Sequence, residues 1–405
     1  FGRPPAEELV GWCDDGSPLL TLISGRRFCK RLQATCAEPW AEFHSRLRQA
    51  SGPPIVAHAE WTSCGFGTDL MERAGLIAIA ASMRRPLIFV NNMSEPMRNV
   101  FAPSPEVLEP GKQPSVVAAA KPTSQEVCEK ALASVPRPRI PHKCRTVDRG
   151  DFHLDFIIEP QWNQENDYWD HTKNRVGKLP AESLLAPLPL YFINHNAIGA
   201  FGPILAAASI PKILRAGAST ESGPSCLLAK AVGLVSVKAL RRVVTLFSHL
   251  GVVESGRVIS VHLRRGDSAM KRECPKCVDP NEQDANNADR VELASLTSAL
   301  RDVNASLQKG DGVFLASDTS DGLKLAQQII TGAPMVWQKH AGRAGAGVHS
   351  TQLTEVRGAI RLLTDFVSMT ISDQLARFGS SSLSGCAASM GGMPVTWGGL
   401  NPPEE

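Results

Sequence analysis

Residues 257–277 read RVISVHLRRGDSAMKRECPKC. The run from Val258 to Val261 is largely β-branched, and it predicts a strand over Val258–Leu263. That strand ends at once in His262, Arg264, Arg265 and Asp267, more charge than a strand end usually gathers. On these residues alone three readings compete: a strand-end arginine paired with Asp267 as a structural ion pair, an Arg265-Gly266-Asp267 adhesion tripeptide, and an anion site. The adhesion reading needs an exposed flexible loop, and here the tripeptide abuts an apolar strand. Two adjacent guanidiniums, with Gly266 admitting close backbone approach, suit a phosphate or pyrophosphate clamp.

The flanking sequence puts this strand in a regular series. Ala231–Leu250 carries a helical pattern before it. After it, Leu293, Leu296, Leu300, Val303 and Leu307 recur at alternating spacings of three and four, which predicts an amphipathic helix. A strand in GVFLASD, a helix over Gly322–Ile330, a strand in PMVWQ and helical patterns from Thr351 to Ala376 complete the series. Such alternation predicts an α/β fold built on a doubly wound parallel sheet. Ligands of these sheets bind beyond the carboxyl ends of the strands, where His262–Asp267 and Ala316–Asp318 both lie.

Upstream, residues 62–90 hold a Gly-x-Gly turn (Gly65, Gly67) and a helix with Leu70, Ala74, Ile77 and Ala81 on one face. Pro86 breaks that helix before a short strand, Leu87–Val90. Residues 102–150 are rich in Pro, Lys and Ser and read as an irregular insertion or surface segment. Residues 151–196 alternate aromatic and charged groups without a period that assigns them. The longest uncharged stretch, Leu190–Pro211, contains Asn194, His195, Asn196, Pro203 and Pro211. It suits a buried loop-helix segment better than a membrane span.

At 405 residues the chain is long enough for two domains, and its net charge of +3 is too small to point to nucleic acid as a partner. Ten cysteines, with sequons at Asn92 and Asn304, point to disulfides and a lumenal or secreted setting. Asn304 lies on a helical pattern, which lowers its expected occupancy. Any membrane attachment would come from an anchor outside this chain.

Three further stretches could carry chemistry. Ser380 and Ser381, in SSSLSG (380–385), could present hydroxyls and backbone N–H groups to an anion at a helix start. Gly65-Phe66-Gly67 could do the same or be only a tight turn. Asp318 could bind a ribose or base, or serve as a cap or turn residue. Cys274-Pro275-Lys276-Cys277 has knuckle spacing but no companion pair, so a disulfide is favoured over a metal. The sequence has no Asp-x-Asp, so no paired carboxylate of that kind is available to hold a cation on a diphosphate.

These stretches occur in an order that resembles the fucosyltransferase superfamily of alpha-1,6-, alpha-1,2- and protein O-fucosyltransferases, most closely the alpha-1,6 type. CGFGTDL (64–70) with RRPLIF, VHLRRGD, VFLASD and TDFVSMTISDQLARFGSSSLS are similar to its successive motifs, from about residue 60 to 392. The resemblance implies a GT-B architecture, two Rossmann-like domains facing a cleft. Its divisions are an extension 1–50, an acceptor-side domain 51–245 with an insertion 102–196, a GDP-sugar domain 246–395 and a tail 396–405. It also implies an inverting, metal-independent transfer of fucose from GDP-fucose to a glycan or glycoprotein hydroxyl in the secretory lumen, Golgi or ER. Arg264 would contact the β-phosphate, supported by Arg265, and His262 and Asp365 would recognise the guanine end. Ser381 would donate to the phosphates, Asp318 would orient nucleotide or sugar, and Gly65, Phe66, Gly67 and Ser380 would complete the donor site. No cofactor is implied beyond the donor substrate.

The chain departs from that pattern where the acceptor's base should lie. The alpha-1,6 type has a glutamate five residues after the motif aspartate, whereas Arg272 stands there and Glu273 follows; Asp267 is the other candidate base. Thr319 follows Asp318 where the family has a second acid, and the chain has only two tyrosines. As given, it leaves no room for the SH3 domain of core fucosyltransferases. A catalytically silent glycan-binding or structural subunit, or the same fold with another sugar nucleotide, is therefore the alternative.

Overall fold

All six residues of the strand at Val258–Leu263 are buried, as a parallel strand covered on both faces requires. The computed structural model describes residues 8–49, 55–58, 66–90, 95–102, 125–126, 129, 142–149, 152–160, 190–193, 225–264, 293–338, 355–379 and 381–397. In chain order the elements are β1 (Leu9–Gly11), α1 (Ile23–Arg48), β2 (Ile55–His58), α2 (Phe66–Met83), β3 (Leu87–Val90), α3 (Glu95–Arg98) and β4 (Phe101–Ala102). Then come β5 (His142–Arg149), β6 (Phe152–Pro160), β7 (Leu190–Ile193), α4 (Cys226–Ala231), β8 (Leu234–Ser236) and α5 (Val237–Ser248). The last part holds β9 (Val258–Leu263), α6 (Leu293–Ser306), β10 (Gly312–Ser317), α7 (Ser320–Ile329) and β11 (Met335–Trp337). It closes with α8 (Val356–Thr370), β12 (Gln374–Phe378), α9 (Ser382–Gly391) and β13 (Val395–Trp397).

The fold is α/β with parallel sheets. The C-terminal sheet has the order β11-β10-β9-β12-β13, and every neighbouring pair in it is parallel. Counted from β9 as the first strand, that order is 3-2-1-4-5, so the winding reverses between β9 and β12. A second sheet, β3-β2-β7-β6-β5, is parallel except for the β5–β6 hairpin. A small antiparallel sheet, β1-β8-β4, joins three distant parts of the chain.

Side-chain alternation explains the two covered faces of the C-terminal sheet. Val258, Phe314, Ala316 and Leu375 pack with α1, α2, α5, α8 and α9. Val261, Leu263, Val313, Leu315, Ala376 and Phe378 pack with α6 and α7. On α2 the sequence-predicted face is the buried one: Leu70, Ala74, Ile77 and Ala81 are all fully buried.

Three sequence expectations change. The helical pattern from Thr351 ends at Thr370, and Gln374–Phe378 is strand β12. That segment contains no β-branched residue. It is extended because β9 and β13 pair with it on both edges, a tertiary demand that overrides local propensity. Likewise Ala231–Leu250 is not one helix: α4 stops at Ala231, and Leu234–Ser236 pairs with β1 and β4 before Ser236 caps α5 through the Ala239 N–H. Leu190–Ile193 is a strand rather than part of a loop-helix segment, its backbone groups being satisfied by β2 and β6. Asn92, Cys274 and Cys277 lie outside the described residues. Asn304 is structural, its Oδ1 accepting from the N–H groups of Thr331 and Gly332.

Two disulfides, Cys13–Cys29 and Cys36–Cys226, tie α1 to the core. Closing the second loop of 190 residues removes unfolded-state entropy worth about 5 kcal/mol in the chain-entropy picture. Cys386 is a buried free thiol that donates to Gly67 O, and burial pushes its pKa up to about 12, so it stays protonated.

Ionic contacts fasten the amino-terminal edge of the C-terminal sheet. Asp373 accepts from Val258 N at 2.9 Å and pairs with Arg27 at 3.2 Å and Arg31 at 3.6 Å. Its side chain is 13% exposed. Replacing it by Ala strands two arginines and a strand N–H. Asp373→Ala should therefore lower stability by about 3 kcal/mol, read as a fall in the urea midpoint at unchanged slope.

Candidate active site

The crevice where the winding reverses is assembled by backbone first. Arg264 N donates to Phe378 O at 2.9 Å, joining the ends of β9 and β12. Gly379 follows with φ +84, and a Cβ there would lie 2.1 Å from Arg264 O. Only glycine fits both the dihedral and the close approach. On the other side Asp318 N donates to Leu263 O at 3.2 Å, so β10 also ends against Arg264.

The side chains converge on that junction. Arg264 donates from a terminal guanidinium nitrogen to Asp318 Oδ2 at 3.2 Å, with side chains 18% and 5% exposed. Asp267, the partner anticipated for a structural ion pair, lies outside the described residues. Asp318 is not the cap of α7, since Thr319 holds that position. His262 is 6% exposed, and its Nδ1 has no hydrogen-bond partner among the described residues. Burial, reinforced by the Arg264 and Arg377 charges, pushes its pKa down to about 3, so the imidazole is neutral.

Ser381 is the N-cap of α9, and its hydroxyl makes no capping bond. The cap is held from behind, with Arg377 donating to Ser381 O at 2.7 Å. Helix α2 meets α9 end to end: a Cβ on Gly67 would lie 2.3 Å from Ser382 C and 2.4 Å from Leu383 N. Two helix amino termini therefore converge, each carrying partial positive charge. Phe66 is spent on packing, its ring edge-on to Phe101 and Phe366 at 5.2 and 5.4 Å. It is a core residue, and the Gly67 backbone is what reaches α9.

Asp365 lies on α8, and its carboxylate accepts from the Gln338 amide. Burial pushes its pKa up to about 7, against the lowering effect of that hydrogen bond. The structure thus gathers Arg264, Asp318, His262 and Ser381 around the β9–β12 crevice and puts Gly67 against α9. Gly65, Arg265, Asp267, Glu273 and Ser380 lie outside the described residues.

Sequence reasoning missed Arg377 and Gln338. Arg377 stands opposite His262 in the β9–β12 register. It could have been found only by reading QLARF as a strand. Gln338 was visible as the residue ending PMVWQ, but nothing local marks it as a partner for Asp365.

No protein-family model and no curated protein matches this chain. Solved structures do. A mutant of Arabidopsis thaliana FUT1 in complex with GDP is similar over 94% of this chain and 79% of that one, with 10% identity and a TM-score of 0.47. POFUT1 in complex with GDP is similar over 87% of this chain and 100% of that one, with 13% identity and a TM-score of 0.39. NodZ alpha-1,6-fucosyltransferase soaked with GDP-fucose is similar over 84% and 92%, with 14% identity and a TM-score of 0.39.

The two shifted groups have opposite effects on stability. His262 titrates near 6.5 when unfolded and near 3 when folded, so its contribution is present above about 6.5 and is lost as pH falls toward 3. Asp365 is raised, so its contribution is present below its unfolded value of 3.8 and is lost as pH rises through about 7. Between those limits they offset each other. Removing the titrating imidazole with His262→Asn should therefore reduce the fall in Tm on acidification from pH 6.5 to 5, measured by thermal melts. Gly379→Ala should displace Arg264 and lower Tm, since its methyl would overlap the Arg264 carbonyl.

Proposed function

We propose that the chain is a glycosyltransferase that moves fucose from GDP-fucose to a glycan or glycoprotein hydroxyl, with inversion and without a metal. The observation that carries this reading is Arg264 at the reversal of the sheet, fixed by Asp318 at 3.2 Å. A guanidinium held there, next to the converging starts of α2 and α9, suits the diphosphate of a sugar nucleotide. The four ordered sequence motifs specify GDP-fucose within that class.

In this mechanism the nucleotide lies across the carboxyl edge of β9, β10 and β12, with the diphosphate toward Arg264 and Ser381. His262 and Asp365 take the guanine end, and Asp318 holds the Arg264 fork in place. As the anomeric C–O bond breaks, charge grows on the β-phosphate oxygens. Donors fixed before the reaction stabilise that charge more in the transition state than in the ground state. The acceptor oxygen attacks from the opposite face and loses its proton to a carboxylate, Glu273 or Asp267. Positive charge on the diphosphate comes from Arg264, Arg265 and the helix termini, which is why the reading includes no metal.

We place the donor in residues 246–395 and the acceptor against residues 51–245, in a GT-B arrangement. The two disulfides support a lumenal compartment of the secretory pathway, Golgi or ER. Arg272, standing where the resemblance expects an acid, favours a second reading as a silent glycan-binding relative. Nucleotide release from GDP- and UDP-sugars without acceptor separates the two. Release selective for GDP-fucose supports the enzyme, and no release from any donor supports the silent relative.

GDP at millimolar concentration should raise Tm in the presence of EDTA, and Arg264→Ala should cost about 10² to 10³ in kcat. Absence of any GDP-dependent shift would sink the donor assignment.

A further inference from the structure

Gln338 follows β11 directly and is 6% exposed. Its Nε2 donates to Arg361 O at 2.8 Å and to Asp365 Oδ1. Both partners are acceptors, so the amide nitrogen, not the oxygen, must face them. Both amide hydrogens are therefore committed, one to the backbone of α8 and one to the carboxyl group a turn further along. The carbonyl of Arg361 anchors the amide, and the amide in turn fixes the rotation of the Asp365 carboxyl.

We propose that Gln338 is a positioning residue for nucleobase selection. By occupying Asp365 Oδ1 from one side, it turns the remaining carboxylate lone pairs toward the base, where they accept the paired N1–H and N2–H donors of a guanine edge. This rests on the reading of Asp365 as a contact for the base of the donor nucleotide.

A consequence follows for the proton. An oxygen that accepts from an amide does not also carry the acidic hydrogen well, so protonation of Asp365 falls on Oδ2. The neutral acid then presents an O–H to a base edge made of N–H groups, donor against donor, and guanine is rejected. Selectivity for guanine therefore requires the ionised carboxylate. Helix α8 packs against α3, α5, α9 and β10. Charged groups on these elements are Glu95 and Arg98 on α3 and Lys238, Arg241 and Arg242 on α5. Arg357 and Arg361 lie on α8 itself, Asp318 lies just past β10, and α9 has none. Burial and then the Gln338 amide set the Asp365 titration, and none of the charges on α5 or α8, nor Asp318, is among its causes. His262 stays neutral across the same range.

The test is calorimetric titration of the full chain with GDP, with IDP (which lacks the N2 amino group) and with inorganic pyrophosphate, from pH 6 to 8.5. In the wild type, GDP affinity should be flat above the Asp365 titration and fall about tenfold per pH unit below it. Its advantage over IDP should shrink in parallel. Gln338→Met should weaken GDP about tenfold at pH 8 and move the midpoint of the pH profile upward, because the lost amide bond had favoured the carboxylate. Pyrophosphate binding should not change, which also reports that the variant is folded. Gln338→Asn, too short to reach both acceptors, should behave like Gln338→Met and replaces it if the methionine variant does not fold. Wild-type GDP binding with an unchanged affinity and midpoint in the variant overturns the role of Gln338 alone. Failure of the wild-type chain to bind GDP overturns the donor assignment and this proposal with it.

Discussion

Strand β9 is hydrogen-bonded along both edges, to β10 on one side and β12 on the other. Three parallel strands in register fix where each of them ends, and the candidate chemistry hangs on those ends. Arg264 is the first residue past β9, Asp318 the first past β10, and Gly379 the first past β12. Backbone bonds Arg264 N to Phe378 O and Asp318 N to Leu263 O carry the register past the last ladder pairs. Side-chain precision at the site is therefore inherited from the sheet, and preorganised groups of this kind are worth most where charge develops.

The charge distribution around that edge is uneven in a useful way. Arg264 and Arg377 flank an imidazole that burial already keeps neutral, and both charges push it further in that direction. Asp318 is paired with Arg264 at the strand ends, beside the converging starts of α2 and α9. On α8, burial pushes the Asp365 pKa up to about 7, against the Gln338 amide, which favours the carboxylate. Cationic and N–H groups thus gather at the strand ends, while Asp365 and its Gln338 partner lie apart from them, on α8 and just past β11.

Much of this was legible in the sequence because the signals were local. Val258–Leu263 announces itself by β-branching, α6 by spacing, and the α2 face by Leu70, Ala74, Ile77 and Ala81. Arg264, His262 and Asp318 followed once strand ends were known. What escaped was imposed from a distance. β12 is a strand through its two neighbours, β8 through pairing with residues more than a hundred positions away, and Gln338 matters through a carboxylate on another element. The packing of Phe66 was equally hidden, since nothing local announces that its ring meets Phe101 and Phe366 edge-on.

The disulfide from Cys36 to Cys226 also constrains how the protein can be made. The chain emerges from a ribosome at about 5–20 residues per second. Cys36 must therefore wait through the 190 residues to its partner, roughly ten to forty seconds. Cys13 and Cys29, separated by 16 positions, can close early and remove the nearest wrong partners from competition. Helix α1 is made well before α4, and the disulfide that locks it waits until α4 has been made. Assembly thus closes an early helix onto one near the middle of these residues, and it depends on an environment that can still oxidise a thiol after 190 further residues have been added.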